Sequence, residues 1–142
     1  MSHGVMGEYL VIGAAGSIGG MLMRLLASDG SREVVGVDMK VVDDSSLIAG
    51  DILQPNASVI HALGQARVVL CALSNEVLSR AMDGLLAYTS PDCVLVDTLS
   101  IKSPFARVLA SSRDRLRSRE IVGINPMFSG DLDPVGRPVA VV

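Results

Sequence analysis

The stretch VIGAAGSIGG, residues 11–20, contains three glycines spaced three residues apart, after an apolar run and before a segment with apolar residues at helical spacing. At such a strand-to-helix turn, the first glycine lets the chain turn sharply, the second lets a diphosphate approach the backbone, and the third lets the helix pack closely on the strand. The stretch predicts a dinucleotide-binding loop, with the diphosphate on free N–H groups at the helix start. The expected cofactor contacts are Gly13, Ala15, Gly16, Ser17, Ile18 and Gly19.

Asp38 strengthens this interpretation because it ends the next strand-like run, 22 residues after Gly16. A carboxylate there accepts hydrogen bonds from the adenosine ribose and repels a 2′-phosphate, which favours NAD over NADP. Lys40, two positions on, would offset part of that repulsion. The alternatives are a glycine turn without a ligand, a solvated acid at a strand end, and an S-adenosylmethionine-dependent methyltransferase, which also has glycines after a first strand and an acid after a second.

The elements that must position these residues follow from alternating apolar runs and amphipathic stretches, a pattern typical of repeated βαβ units. The predicted fold is α/β, a doubly wound and mainly parallel Rossmann sheet in a single NAD-binding domain, residues 1–142. Because such a domain usually continues past a strand, we expect the chain to be truncated before a further domain. Strands are predicted at 9–13, 33–38, 66–73, 93–97, 120–124 and 137–142, and helices at 17–28, 57–64, 76–88 and 104–117, with residues 39–56 as loop containing at most a short element.

The composition of the chain narrows its possible fold and binding partners. Of 142 residues, 49% are hydrophobic but only 3% aromatic, as expected of a parallel sheet covered on both faces. The net charge of −3 argues against nucleic acid or a membrane surface as partner. No apolar run approaches the ~18 residues of a membrane span, so we expect a cytoplasmic protein. Cys71 and Cys93 lie in apolar runs and are predicted to be buried thiols, with no metal site.

Three segments in order resemble the N-terminal nucleotide-binding domain of the prephenate and arogenate dehydrogenases. They are the glycine loop through Asp38, VDTLSIKSP (96–104), and GINPMFSGD (123–131) followed by GRPVAVV (136–142). The second carries the family pattern D-x-x-S-x-K, and the third is close to G-x-H-P-M-F-G. The resemblance covers nearly the whole chain. It implies an enzyme for NAD-dependent oxidative decarboxylation of prephenate or a prephenate-like small molecule, in tyrosine or related aromatic amino acid biosynthesis.

The resemblance also implies roles for individual residues. Ser100, the serine of D-x-x-S-x-K, would lie near the nicotinamide and the substrate hydroxyl as a catalytic residue. Lys102 would orient the loop. Ser74 and Asn75, after the third predicted strand, would border the cofactor ribose. Capping of the following helix is the alternative for both of them, and for Ser100.

Two departures from the family pattern matter. The histidine before Pro-Met is Asn125 here, and the helical second domain, which supplies much of the substrate pocket and the dimer interface, is not in the sequence. A homodimer or a separate helical domain would have to complete the site. Asn125 cannot accept a proton as a histidine would, so we hypothesise an amino substrate, 4-amino-4-deoxyprephenate. The alternative is a turn residue before Pro126 in a non-catalytic nucleotide-binding module.

Overall fold

The computed structural model describes residues 8–28, 30, 33–40, 43–116, 118–127, 130 and 138–141. These residues form seven strands and four helices. The strands are β1 (Tyr9–Ile12), β2 (Val34–Asp38), β3 (Leu47–Ala49), β4 (Val68–Cys71), β5 (Val94–Asp97), β6 (Glu120–Pro126) and β7 (Val139–Val141). The helices are α1 (Ser17–Ala27), α2 (Ala57–Gln65), α3 (Asn75–Tyr88) and α4 (Ser103–Ser111).

The strands form one sheet in the order β3-β2-β1-β4-β5-β6-β7. All neighbours run parallel except β7, which is antiparallel to β6. The chain builds outward from β1 in one direction and then crosses to β4 and builds in the other. This reversal opens a crevice at the carboxyl ends of β1 and β4, where ligands of open α/β sheets bind. The predicted mainly parallel, doubly wound sheet is confirmed.

Helices cover both faces of the sheet, because successive side chains of a strand point to opposite faces. Leu10 and Ile12 of β1 belong to the larger core, which includes Leu63 of α2, Leu85 of α3 and Phe105 of α4. Between them, Val11 belongs to a smaller core with Met21 and Leu22 of α1. Buried on both sides, the central strands are continuous apolar runs, which is why the sequence identified them.

Two predicted boundaries change near the site. The helix expected at 104–117 ends at Ser111, since the next residues turn back with Arg115 N–H donating to the Ser112 carbonyl, and Arg117 lies outside the described residues. Serine hydroxyls compete for helix carbonyls, and Ser111 Oγ donates to Val108 O at 2.8 Å. Strand β6 runs on to Pro126, so Asn125 lies within the strand and pairs with Ala140.

Both cysteines are free and buried. In the part of the chain that the structure describes, no helix has the length and apolar character needed to cross a bilayer.

Candidate active site

The glycine loop between β1 and α1 is shaped by steric requirements at two of its glycines. Gly13 has a φ of +83°, and a Cβ there would lie 2.3 Å from the Ala72 carbonyl oxygen. At Gly19 a Cβ would lie 1.9 Å from the carbonyl oxygen of Gly13, so only glycine lets α1 pack this closely on the loop. Around Gly16 the nearest atom to a Cβ would be 3.4 Å away, which leaves its outer face open to a ligand. The loop therefore fits the three roles that the spacing predicted.

The start of α1 offers N–H groups to an anion. Gly16 is the N-cap and provides no side-chain cap, and the first turn holds no acidic residue. The first helical hydrogen bond runs from Gly20 N to Gly16 O at 2.8 Å. Within the described residues, the N–H groups of Ser17, Ile18 and Gly19 have no hydrogen-bond partner. Free N–H groups at the positive end of a helix are suited to a diphosphate.

Asp38 is part of this loop rather than a solvated acid. Its Oδ2 accepts a hydrogen bond from Ala15 N at 2.9 Å, and its Oδ1 accepts one from Lys40 N at 3.0 Å. The carboxylate thus ties the end of β2 to the glycine loop and is held in one orientation. Each oxygen keeps a lone pair for a further donor such as a ribose hydroxyl.

A largely apolar cavity of about 310 Å³ adjoins Asp38 at the carboxyl ends of β1 and β2. Apolar walls beside a fixed carboxylate suit the base and sugar of a nucleoside. Several residues that line this cavity were not predicted from the sequence. Ile52 and Leu53 were a visible apolar signal, but they lie in residues 39–56, which were predicted to be loop. The cavity is lined by Ile12, Gly13, Val37, Asp38, Met39, Gly50, Asp51, Ile52, Leu53, Leu73 and Val77.

The turn after β4 connects the two halves of the crevice. Ser74 Oγ accepts from Val77 N at 3.3 Å and so caps α3, as the alternative interpretation had it. Asn75 does not cap but reaches sideways, donating from Nδ2 to the Ile101 carbonyl at 3.1 Å. Its Oδ1 is buried and has no partner in the described residues. A buried acceptor without a donor is costly, and a donor from a bound ligand would satisfy it.

The D-x-x-S-x-K segment after β5 ends at Lys102, whose side chain turns inward to the strand ends. Lys102 Nζ donates to Asp97 Oδ1 at 2.6 Å and to the Ile124 carbonyl of β6 at 2.7 Å. Asp97 is only 5% exposed, and its Oδ1 also accepts from Leu99 N at 3.2 Å. With two bonds to protein groups, Lys102 orients this loop, in agreement with the role expected from the resemblance.

Ser100 and Asn125 lie on neighbouring strand ends. The residue at the N-cap of α4 is Lys102, which excludes capping as the role of Ser100. Ser100 is exposed and Asn125 half-buried, and neither side chain has a hydrogen-bond partner within the described ranges. Ser100 follows the carboxyl end of β5, and Asn125 lies near the carboxyl end of the adjacent parallel strand β6, so two uncommitted polar groups lie at the same edge of the sheet.

The segment beyond β6 returns to the glycine loop. Gly130 packs against the start of α1, where a Cβ would lie 2.3 Å from the Ser17 carbonyl oxygen. Its own carbonyl accepts a hydrogen bond from Arg24 Nη2 at 2.8 Å. The chain that leaves Asn125 is therefore anchored beside the proposed diphosphate position. Phe128, Ser129 and Asp131 of the same motif lie outside the described residues.

Cys71, between the two halves, is not a reactive group. Burial, and then the nearby Asp97 carboxylate and Cys93, raise the pKa of its thiol to about 12. A thiol of that pKa stays protonated at neutral pH and is a poor nucleophile or base. Among the described residues, no group of three or more His, Cys, Asp or Glu side chains could hold a metal ion.

Comparison with known proteins gives one relative of known activity over nearly the whole chain. No protein-family model matches. The chain is 35% identical to 4-amino-4-deoxyprephenate dehydrogenase of Streptomyces pristinaespiralis, over 97% of this chain and 46% of that protein.

Solved structures share the fold. The prephenate dehydrogenase from A. aeolicus, in complex with hydroxyphenyl propionate and NAD+, matches with a TM-score of 0.67 and 20% identity, over 99% of this chain and 51% of its own. An imine reductase from Pseudomonas sp. matches with a TM-score of 0.62 and 14% identity, over 96% of this chain and 47% of its own. The chain thus spans about half the length of these relatives.

Proposed function

We propose that this chain, whose predicted resemblance to the nucleotide-binding domain of prephenate dehydrogenases is confirmed by a 35% identical relative, binds NAD for a dehydrogenase. The enzyme oxidises and decarboxylates prephenate or a prephenate-like substrate. The cofactor contacts are those predicted from the sequence, and Ser100 and Asn125 act at the reacting carbon. The NAD-binding domain comprises residues 1–142.

The observation that carries this proposal is the fixed carboxylate of Asp38 between the glycine loop and the apolar cavity. Three features needed by an adenine dinucleotide adjoin one another: free amides at α1, a carboxylate for the ribose, and an apolar wall for the base. A 2′-phosphate beside Asp38 would meet like charge, so NAD is favoured over NADP. The orphaned Oδ1 of Asn75 supplies a further acceptor along the same crevice.

When bound, NAD supplies the hydride acceptor, and this chain's residues orient the substrate for it. Loss of hydride from a carbon bearing a hydroxyl leaves a protonated ketone, whose proton needs an acceptor. Ser100 can hold that hydroxyl by a hydrogen bond, but Asn125 takes no proton at ordinary pH. Prephenate oxidation by this site therefore passes the proton to water or to a group from elsewhere.

An amino substrate is the second candidate, favoured by Asn125 and by the activity of the 35% identical relative. A neutral amine nitrogen has a lone pair that drives hydride departure to an iminium, and loss of CO₂ then restores the aromatic ring. No base is needed in the oxidation once the ammonium has lost its proton to water. The Asn125 carbonyl oxygen is a suitable acceptor for the amine N–H groups.

Completion of the site is also a proposal. The substrate carries two carboxylates, whereas Lys102, the cation next to Ser100 in the described part of the chain, is already paired with Asp97. A further helical domain or a second copy of the chain would supply the cations. Crosslinking and sedimentation of the full natural chain distinguish these sources.

Calorimetry with NAD, NADP and S-adenosylmethionine tests the cofactor. We expect NAD to bind at least about 10-fold more tightly than NADP, the equivalent of roughly 1.4 kcal/mol. Preferential binding of S-adenosylmethionine would replace the dehydrogenase proposal with a methyltransferase. Binding of NAD by the full natural chain without turnover would leave a nucleotide-binding module.

Turnover of prephenate and of its 4-amino analogue, compared in the full natural chain, tests the substrate. Faster oxidation of the amino compound would support the second candidate. Faster oxidation of prephenate would reject it and leave the first.

A further inference from the structure

The loop that carries Ser100 is fixed at almost every residue except Ser100 itself. Thr98 Oγ1 donates to the Cys71 carbonyl at 3.1 Å, and the Ile101 carbonyl accepts from Asn75. Leu99 is buried in the larger core. Ser100 is exposed and makes no hydrogen bond within the described residues. A loop held on both sides of one free hydroxyl presents that hydroxyl in a defined place.

Lys102 adds a connection that the other contacts do not provide. Strand β5 ends at Asp97, opposite Gly123, whereas β6 continues to Pro126. Beyond Gly123 the carbonyl of Ile124 therefore has no β5 neighbour to pair with. The Lys102 ammonium takes that place at 2.7 Å and joins the Ser100 loop to the residue immediately before Asn125.

We propose that Lys102 is a positioning residue, and that the link Asp97–Lys102–Ile124 sets the distance between Ser100 and Asn125 at the reacting carbon. The inference rests on the proposed function for its catalytic consequence, but not for the link itself. Lys102 has a side-chain exposure of 22%, against 7% for Asp97, so the link lies at the floor of the crevice. An ammonium has three N–H donors, and two are committed to the strand ends.

Three variants separate positioning from charge neutralisation. Lys102→Met keeps the aliphatic stem and removes both bonds, but it leaves a buried carboxylate unpaired and can unfold the chain. The double variant Asp97→Asn with Lys102→Met removes both charges, so the fold is preserved while the tie to Ile124 is still lost. Lys102→Arg keeps a cation with several donors and tests rescue. The matched control is Arg115→Met, which breaks the exposed ion pair with Asp83 away from the crevice.

Hydrogen exchange of the chain without ligand is the first measurement. In the double variant we expect faster exchange at the amides of residues 98–102 and of Ile124 and Asn125 together, because one tie holds both segments, and no change in residues 13–19. Arg115→Met should alter neither segment. Unchanged exchange at the amides of Ile124 and Asn125 in the double variant would overturn the proposal.

Kinetics of the full natural chain are the second measurement, with prephenate and its 4-amino analogue as substrates. We expect kcat of the double variant to fall about 10²-fold, the cost of a misplacement of about 1 Å, with the KM for NAD unchanged. Lys102→Arg should recover part of that loss. Wild-type kcat in the double variant would overturn the proposal by showing that Lys102 only neutralises Asp97. If the wild-type chain neither binds NAD nor oxidises either substrate, the proposed function is wrong. Hydrogen exchange would then still show whether the link between Asp97, Lys102 and Ile124 holds the two segments together.

Discussion

The two ends of the crevice are built in different ways. At the β1–β2 end, the part of the site suited to a diphosphate is made of backbone groups, namely glycines without side chains and free amides of α1, and it is joined by one carboxylate that two N–H groups fix. At the β5–β6 end, the site is made of side chains, and its geometry depends on hydrogen bonds between segments about 20 residues or more apart in the chain, such as Lys102 to Ile124 and Asn75 to Ile101.

The difference indicates which part of the site can vary. A loop of backbone groups recognises the diphosphate that all dinucleotides share, and it tolerates almost no substitution. A side-chain arrangement can exchange one residue for another and change the chemistry, as the asparagine at position 125 suggests. The cofactor end and the reactive end should therefore respond differently to mutation.

The largest effect is expected from Gly19→Ala at the cofactor end. A Cβ would lie 1.9 Å from the Gly13 carbonyl oxygen, so α1 must move away from the loop. We expect NAD binding to be lost in calorimetry and stability to fall by about 1–3 kcal/mol, as in overpacked cores. Gly20→Ala is the control, because its Cβ would meet nothing closer than 3.5 Å. That variant should bind NAD normally, and its free energy of unfolding should rise by up to about 1 kcal/mol, because alanine favours the helix more than glycine does. If both variants bound NAD equally well, the binding loop would not require glycine at position 19.

Asn125→His tests the reactive end. An imidazole can accept the hydroxyl proton, so we expect prephenate oxidation to rise about 10²-fold while oxidation of the amino analogue does not gain. Asn125→Gln, which keeps the amide but adds no base, is the control. The measurement is the rate of NADH formation with each substrate. An equal gain for both substrates would mean that Asn125 does not distinguish them.

Asp38→Asn should weaken NAD binding by roughly 10- to 100-fold, because hydrogen bonds to a charged group contribute about 1.5–3 kcal/mol. Discrimination against NADP should narrow at the same time. Asp44→Asn is the matched control, since Asp44 also accepts an N–H two residues on, from Ser46 at 2.8 Å, but does not line the cavity. Titration calorimetry with both cofactors measures the effect. Loss of affinity in both variants would point to general charge rather than to the ribose.

The smallest effect concerns Cys71, at the boundary between the two ends. Burial raises the pKa of this thiol from 9.0 to about 12, so the folded chain keeps a proton that the unfolded chain loses. Its contribution to stability is complete below about pH 9 and declines as the pH rises toward 12, by at most about 1.4 kcal/mol per pH unit. Urea unfolding near pH 8 and near pH 10 should show a steeper decline for wild type than for Cys71→Val. Parallel declines would show that this thiol is not the source.

The fold was largely predictable because the central strands are buried on both faces and read as unbroken apolar runs. The glycine loop was predictable because the spacing of its glycines and the acid at the end of the next strand form a pattern that the sequence displays directly. Helix α4 was predicted too long because apolar spacing continues past Ser111, where the serine pair and the turns after it end the helix.

The side-chain arrangement could be predicted only by resemblance. Nothing in the spacing of Asp97, Lys102 and Ile124 says that one ammonium bridges two strand ends. The orientation of Asn75 toward Ile101 is equally invisible in the sequence, from which Ser74 and Asn75 were both predicted to border the ribose, with capping as the alternative. The assignments of Ser100, Asn125 and the cofactor contacts stay predictions until the variants are measured.

The packing of Gly130 on Ser17 constrains how the reactive end can be redesigned. Asn125 is fixed in β6 and Gly130 is clamped between α1 and the Arg24 guanidinium. The four positions between them must span a set distance, so a deletion there should disturb the site more than a substitution. A shorter motif grafted from another dehydrogenase would pull on the start of α1 and disturb cofactor affinity before it reached the substrate.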